Sequence, residues 1–141
     1  MSRESPRVAL AAQFSKFAGV GAVGFAVDAL VFLALTQWSA NWHPYAARAV
    51  SAACSMSATW ALNRRVTFSE QKSPDARSEY LRYVLAQTFG LALNLGVFAA
   101  AVAFVPLMQR HPLLALILGA GVALIMNFVT AKHIAFRAPV S

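Results

Sequence analysis

The chain is organised as long apolar blocks separated by short polar interruptions. Four blocks cover about residues 17–35, 45–62, 83–105 and 113–131. Each is near the roughly 20 mostly apolar residues that a helix needs to cross a bilayer. The pattern predicts an all-α membrane protein with four transmembrane helices in one domain over residues 1–141.

The interruptions fit this reading. Gln37 to Pro44 is a short uncharged loop with Trp38 and Trp42, aromatic residues suited to a membrane–water interface. Pro44 suits the first turn of a helix, where its missing N–H is not needed. Residues 69–79, with Pro74 inside, read as the one long hydrophilic loop, and residues 106–112 as a turn between two prolines.

Composition agrees. The 141 residues are 59% hydrophobic and only 12% charged, against about 25% charged in an ordinary soluble domain, and the mean hydropathy is +0.58. The formal net charge of +7 would suggest nucleic acid in a soluble protein. Here the basic residues fall between apolar blocks, so they report topology and no nucleic-acid partner is expected. Arg3, Arg7, Lys16, Arg64, Arg65, Lys72, Arg77, Arg82, Lys132 and Arg137 fall on one side, and only Arg48 and Arg110 toward the other. The positive-inside rule then places both termini in the cytoplasm, in a multi-pass protein of the cytoplasmic membrane. The first block reads as a retained helix, because no convincing cleavage motif follows it. A lone Cys54 excludes an internal disulfide and a cysteine-based metal site.

The chain also repeats itself. An offset of 68 carries His43-Pro44 onto His111-Pro112, and the stretch from Thr59 to Phe68 onto that from Asn127 to Phe136. An offset of 66 carries Lys16-Phe17 onto Arg82-Tyr83, Gly24 onto Gly90 and Asp28 onto Asn94. The expected architecture is two repeated helical hairpins, each starting and ending inside, related by an axis along the membrane normal.

Asp28 is the costliest residue to place. It lies 12 residues past Lys16, about 18 Å along a helix and so near the middle of the hydrocarbon core. A carboxylate there faces the bundle interior and needs a partner. Arg48 is the natural one: Asp28 is expected level with about Ala53, with Arg48 about 7.5 Å nearer the outer face. Gly21, Gly24 and Asp28 share one helical face, as do Gln87, Gly90 and Asn94, while Arg48, Ser51, Ser55 and Thr59 form a stripe on the second helix. Asn127 is the isolated amide of the fourth helix, and Gly119-Ala120-Gly121 reads as close packing there. Small and polar residues of this kind glue helices together; they could equally line a groove through which a polar head group passes while its tail stays in lipid. Lys16, Asn63, Arg64, Arg65, Arg82, Lys132 and His133 lie at the inner helix ends. Such a basic ring attracts anionic head groups, and an arginine fork can hold a phosphate bidentately.

No enzyme constellation is present: no nucleophile–base–acid pattern, no glycine loop for phosphates and no metal motif. No catalytic residue, metal or cofactor is expected.

The run Phe14-Ser15-Lys16-Phe17-Ala18-Gly19-Val20-Gly21 with Asp28 beyond it, Ala47-Arg48 leading to Asn63-Arg64-Arg65-Val66-Thr67-Phe68, Arg82-Tyr83, and Asn127-Phe128 with Lys132 and Phe136 together resemble the GtrA-like family. The resemblance spans about residues 14–136. Val66 stands where the family has a tryptophan-like aromatic, and Thr59-Trp60 where an Asn-Phe pair is common. The resemblance implies movement of a polyprenyl-phosphate-linked sugar across the cytoplasmic membrane for cell-surface polysaccharide synthesis. It also implies a polyprenyl-phosphate glycosyltransferase as a neighbour. Asp28, Arg48, Ser55, Thr59, Asn94 and Asn127 would then line the path, and Lys16, Asn63, Arg64, Arg65, Arg82 and Lys132 would meet the lipid phosphate. Four short helices enclose little volume, so a homodimer or a complex with the glycosyltransferase is a further expectation. The alternatives are a non-transporting anchor or regulator for that enzyme, and a small-cation exporter, against which the basic ring and Arg48 argue.

Overall fold

The computed structural model describes residues 6–39 and 42–136. Arg3 and Arg137, two of the basic residues used for topology, lie outside the described residues. Those described are mostly helical, with no strand among them. They form two compact units, divided between Lys72 and Ser73.

In the first unit α1 (Pro6–Leu33) runs on into a π-helical segment, Ala34–Ser39, and packs against α2 (Pro44–Leu62), which ends in a second π-helical segment, Asn63–Thr67. In the second unit α3 (Ala76–Phe104) packs against α5 (Pro112–Thr130), which ends in the π-helical segment Ala131–Ala135; the short α4 (Pro106–Arg110) lies between them in sequence.

Three helical stretches are long and apolar enough to cross a membrane: Pro6–Trp38, Ala76–Phe104 and Leu113–Ala135. The expectation of four is met only in part, because α2 is not among them. At 19 residues it has the length, but Arg48, three serines and Thr59 dilute a helix otherwise rich in alanine. Large apolar side chains stand outward, with Phe25 76% and Phe104 83% exposed. In water such a surface would be a sticky patch; against lipid tails it is the ordinary outside of a membrane helix.

Helix ends differ from the sequence reading. The first helix already runs through residues 6–16, and the third begins at Ala76 rather than about residue 83. Asp75 sets that start: its carboxylate accepts from the backbone N–H of Arg77 at 3.1 Å and of Ser78 at 3.2 Å, satisfying donors that a helix start leaves open. Glu79, expected in the loop, is fully buried, and its Oε2 accepts from the Ser73 backbone N–H at 2.6 Å.

The same contacts occur in both units at the offsets seen in the sequence. Phe17 meets Phe68 edge-on at 6.1 Å, and Tyr83 meets Phe136 at 5.7 Å. Arg64 lies over Trp60 at 5.8 Å, and Lys132 over Phe128 at 5.9 Å. Each π-helical end closes with one long-reach bond: Phe68 N–H to Asn63 O and Phe136 N–H to Ala131 O, both 2.8 Å. The wide turn leaves carbonyls that need donors from elsewhere. Gln13 Nε2 donates to Thr67 O at 3.1 Å, and Arg82 Nη2 donates to Ala135 O at 3.3 Å.

Only some glycines serve packing. A Cβ on Gly119 would meet Asn94 Oδ1 at 2.5 Å and the Asn94 backbone carbonyl at 2.8 Å, whereas one on Gly121 would meet nothing within 4 Å. Gly119→Ala is therefore expected to destabilise by about 1–3 kcal/mol through overpacking against backbone that cannot swing aside. Gly121→Ala should be neutral or stabilising by up to ~1 kcal/mol, from helix propensity. Thermal unfolding of both variants in detergent checks the pair; equal effects would mean that α3 and α5 do not approach this closely.

Candidate functional site

In the first unit the polar residues meet along the contact of α1 and α2. Gly24 lets the helices close: a Cβ there would meet Thr59 Cγ2 at 2.3 Å. Ser55 Oγ donates to the Gly24 carbonyl at 2.8 Å. One turn on, Asp28 Oδ1 accepts from Ser51 Oγ at 2.7 Å, and Oδ2 is ion-paired with Arg48 Nη1. Asp28 thus sits level with Ser51, two residues from the expected Ala53. Arg48 reaches it directly, as the residue types and spacing suggested. Gly21, expected on the same packed face, faces open space instead.

Placement explains the pair. Arg48 lies in the opening turns of α2, where the helix dipole disfavours a cation. The Asp28 carboxylate supplied by α1 offsets that. The two ends of the pair are unequally covered: the Asp28 side chain is 14% exposed and that of Arg48 60%. The Asp28 side chain is largely covered, while most of the Arg48 side chain stays open. An arginine fork has five N–H donors, so it can take a second anion or a hydroxyl while holding Asp28. Thr59 differs from its neighbours in the stripe: its hydroxyl is turned to its own helix, donating to the Ser55 and Met56 carbonyls at 3.0 Å.

The second unit carries no charge at the equivalent positions. Asn94 stands for Asp28, Leu116 for Arg48 and Gly119 for Ser51. Asn94 presses on Gly119, and the Asn127 amide lies over Gly90, where a Cβ would meet its Oδ1 at 1.6 Å. Asn127 Oδ1 and Gln87 Nε2 are both buried without a hydrogen-bond partner among the described residues.

The basic residues divide into different kinds. Lys16 is exposed. Asn63 is buried, and its Oδ1 accepts from Thr67 Oγ1 at 2.8 Å, so its amide fastens the π-helical turn. Arg64 and Arg65 line a pocket of about 220 Å³ with Trp60, Ala61 and Lys72. In the second unit Arg82 ties Ser78 Oγ at 2.7 Å and borders an otherwise apolar cavity of about 330 Å³ lined by Leu85, Ala86, Phe89, Thr130 and Ile134.

The sequence places Ser51 in the polar stripe but not among the path residues, and it does not mark Trp60 or Lys72 as site residues. Ser51 was legible as one turn beyond Arg48, and Trp60 as one turn before Arg64. Lys72 was not, because a loop brings it back.

No curated protein matches the chain. The family described as GtrA/DPMS, transmembrane domain, matches residues 16–136, from the lysine that precedes the apolar core of α1 to the phenylalanine that closes the last π-helical turn, and the chain is an integral membrane protein belonging to that family.

Proposed function

We propose that the chain moves a polyprenyl-phosphate-linked sugar across the cytoplasmic membrane, without covalent chemistry and without a cofactor. Family membership supports handling of a lipid-linked sugar. The observation that carries the reading further is the Asp28–Arg48 pair, covered at the Asp28 side chain and open at the Arg48 side chain. A charge kept in a membrane helix only to lock two helices would be expected to be covered at both ends. An open arginine side chain can exchange contacts with a passing phosphate or sugar hydroxyl and return to Asp28, never standing unpaired in lipid.

In this reading α2 is the fourth span and its polar stripe is the reason it is the least apolar. The basic residues at the helix ends face the cytoplasm together with both termini. Within the first unit Arg64 and Arg65 meet the lipid phosphate; within the second, Asn94 and Asn127 offer amides to a sugar. A second copy or the glycosyltransferase that makes the lipid-linked sugar completes the enclosure.

The test is reconstitution. Liposomes holding the full chain are expected to move a labelled polyprenyl-phosphate sugar to the opposite leaflet faster than protein-free liposomes. A chain that moves nothing, yet raises the activity of a co-reconstituted polyprenyl-phosphate glycosyltransferase, would be an anchor or regulator instead.

A further inference from the structure

The basic residues at the helix ends are not equivalent, and the difference lies in the space beside them. Trp60, Ala61, Arg64 and Arg65 are spaced i, i+1, i+4 and i+5, so they form one strip at the end of α2. Trp60 is the wall, with Arg64 stacked over it. Ala61 is the small residue whose methyl leaves the space open. Buried Phe68 then stops the helix, Gln71 N–H bonds back to Phe68 O at 3.0 Å, and the loop returns Lys72 to the same pocket. Three cations thus border about 220 Å³. Arg65 and Lys72 form no ion pair among the described residues. Arg65 and Lys72 bring two like charges to one small space, where a bound anion would relieve their repulsion.

The repeat supplies an internal control. The offset that carries Arg64 onto Lys132 carries Trp60 onto Phe128, Ala61 onto Val129 and Arg65 onto His133. At these described positions the second unit therefore has one full cation in place of two, and a branched side chain where the first unit has the methyl.

We infer that the pocket of Trp60, Ala61, Arg64, Arg65 and Lys72 is a phosphate-binding site, one per chain and in the first unit, built for the phosphate of a lipid head group. The two guanidinium forks supply directed hydrogen bonds, and the lysine a point charge that closes the pocket from the loop. The choice of a lipid as the source rests on the proposed function. The site itself is read by binding, so loss of transport alone leaves it standing.

The test uses the full chain in phosphatidylcholine nanodiscs, with Trp38 and Trp42 replaced by phenylalanine so that Trp60 alone reports. Dodecyl phosphate and inorganic phosphate are titrated separately, and circular dichroism confirms equal helix content in all variants. Dodecyl phosphate is expected to change Trp60 emission saturably, at one per chain. Ala61→Phe, which fills the space and keeps every charge, and Lys72→Met should each weaken binding by ~10-fold or more. A saturable response to inorganic phosphate of equal affinity supports the site and shows that the phosphate alone suffices; a response to dodecyl phosphate only shows that the lipid is the source. A response to neither ligand, or one that Ala61→Phe leaves unchanged, would overturn the assignment.

Discussion

Arg48→Gln is expected to destabilise the folded chain by about 3 kcal/mol, and Asp28→Asn by only about 1 kcal/mol. The asymmetry follows from cover. Removing Arg48 strands a carboxylate that is 14% exposed with Ser51 as its one remaining partner. It is then left as an uncompensated charge in a poorly solvated site. Removing the Asp28 charge leaves an arginine whose side chain is already 60% exposed and long enough to turn toward the interface. In Asp28→Asn the side-chain amide oxygen can still accept from Ser51. The double variant should be more stable than the sum of the single losses predicts, because the pair is broken only once. Denaturant unfolding in micelles, followed by loss of helix, measures all three. Strict additivity would mean that the two charges are not coupled.

The second large effect is expected at the ends of α2 and α5. Phe68→Ala and Phe136→Ala should each destabilise by about 3–5 kcal/mol. Both rings are buried to within 1%. Each adds an edge-on aromatic contact, to Phe17 and to Tyr83, beyond the area it buries. Each also closes a π-helical turn through its own backbone N–H. The two losses should be similar, because the surroundings repeat. Unfolding of the single variants checks this; a large loss at one position and none at the other would mean that the matched geometry does not carry matched energy. Phe68→Ala should also weaken phosphate binding, since Phe68 turns the chain toward Lys72.

Much of this was legible because the strongest constraint, lipid, writes long blocks. The apolar cores of all four long helices, the Asp28–Arg48 pairing and the offsets of 66 and 68 follow from hydropathy and residue matching alone. The extra helical length at residues 6–16 and 76–82 was not legible, because polar residues outside an apolar block look like loop. Asp75 capping and Glu79 burial there depend on side chains folding back locally. The π-helical ends were hidden for a similar reason: Asn63–Thr67 and Ala131–Ala135 share a wide turn but little sequence. Gly119 and Gly121 look alike in sequence and are separated only by which of them faces Asn94. Helix α2 shows the limit of hydropathy itself, since the serines and arginine that make it a candidate path also keep it from the set of helices apolar enough to span.

The most direct test of the translocation reading uses the double variant, Asp28→Asn with Arg48→Gln, whose lost charges cancel. Outward movement of a labelled polyprenyl-phosphate sugar is followed in liposomes holding equal amounts of correctly inserted wild type or double variant, after matching their unfolding midpoints. The account predicts movement by the wild type and a return to the protein-free rate in the folded double variant. Equal rates for the two would contradict it, and would leave Asp28 and Arg48 as a helix fastener only.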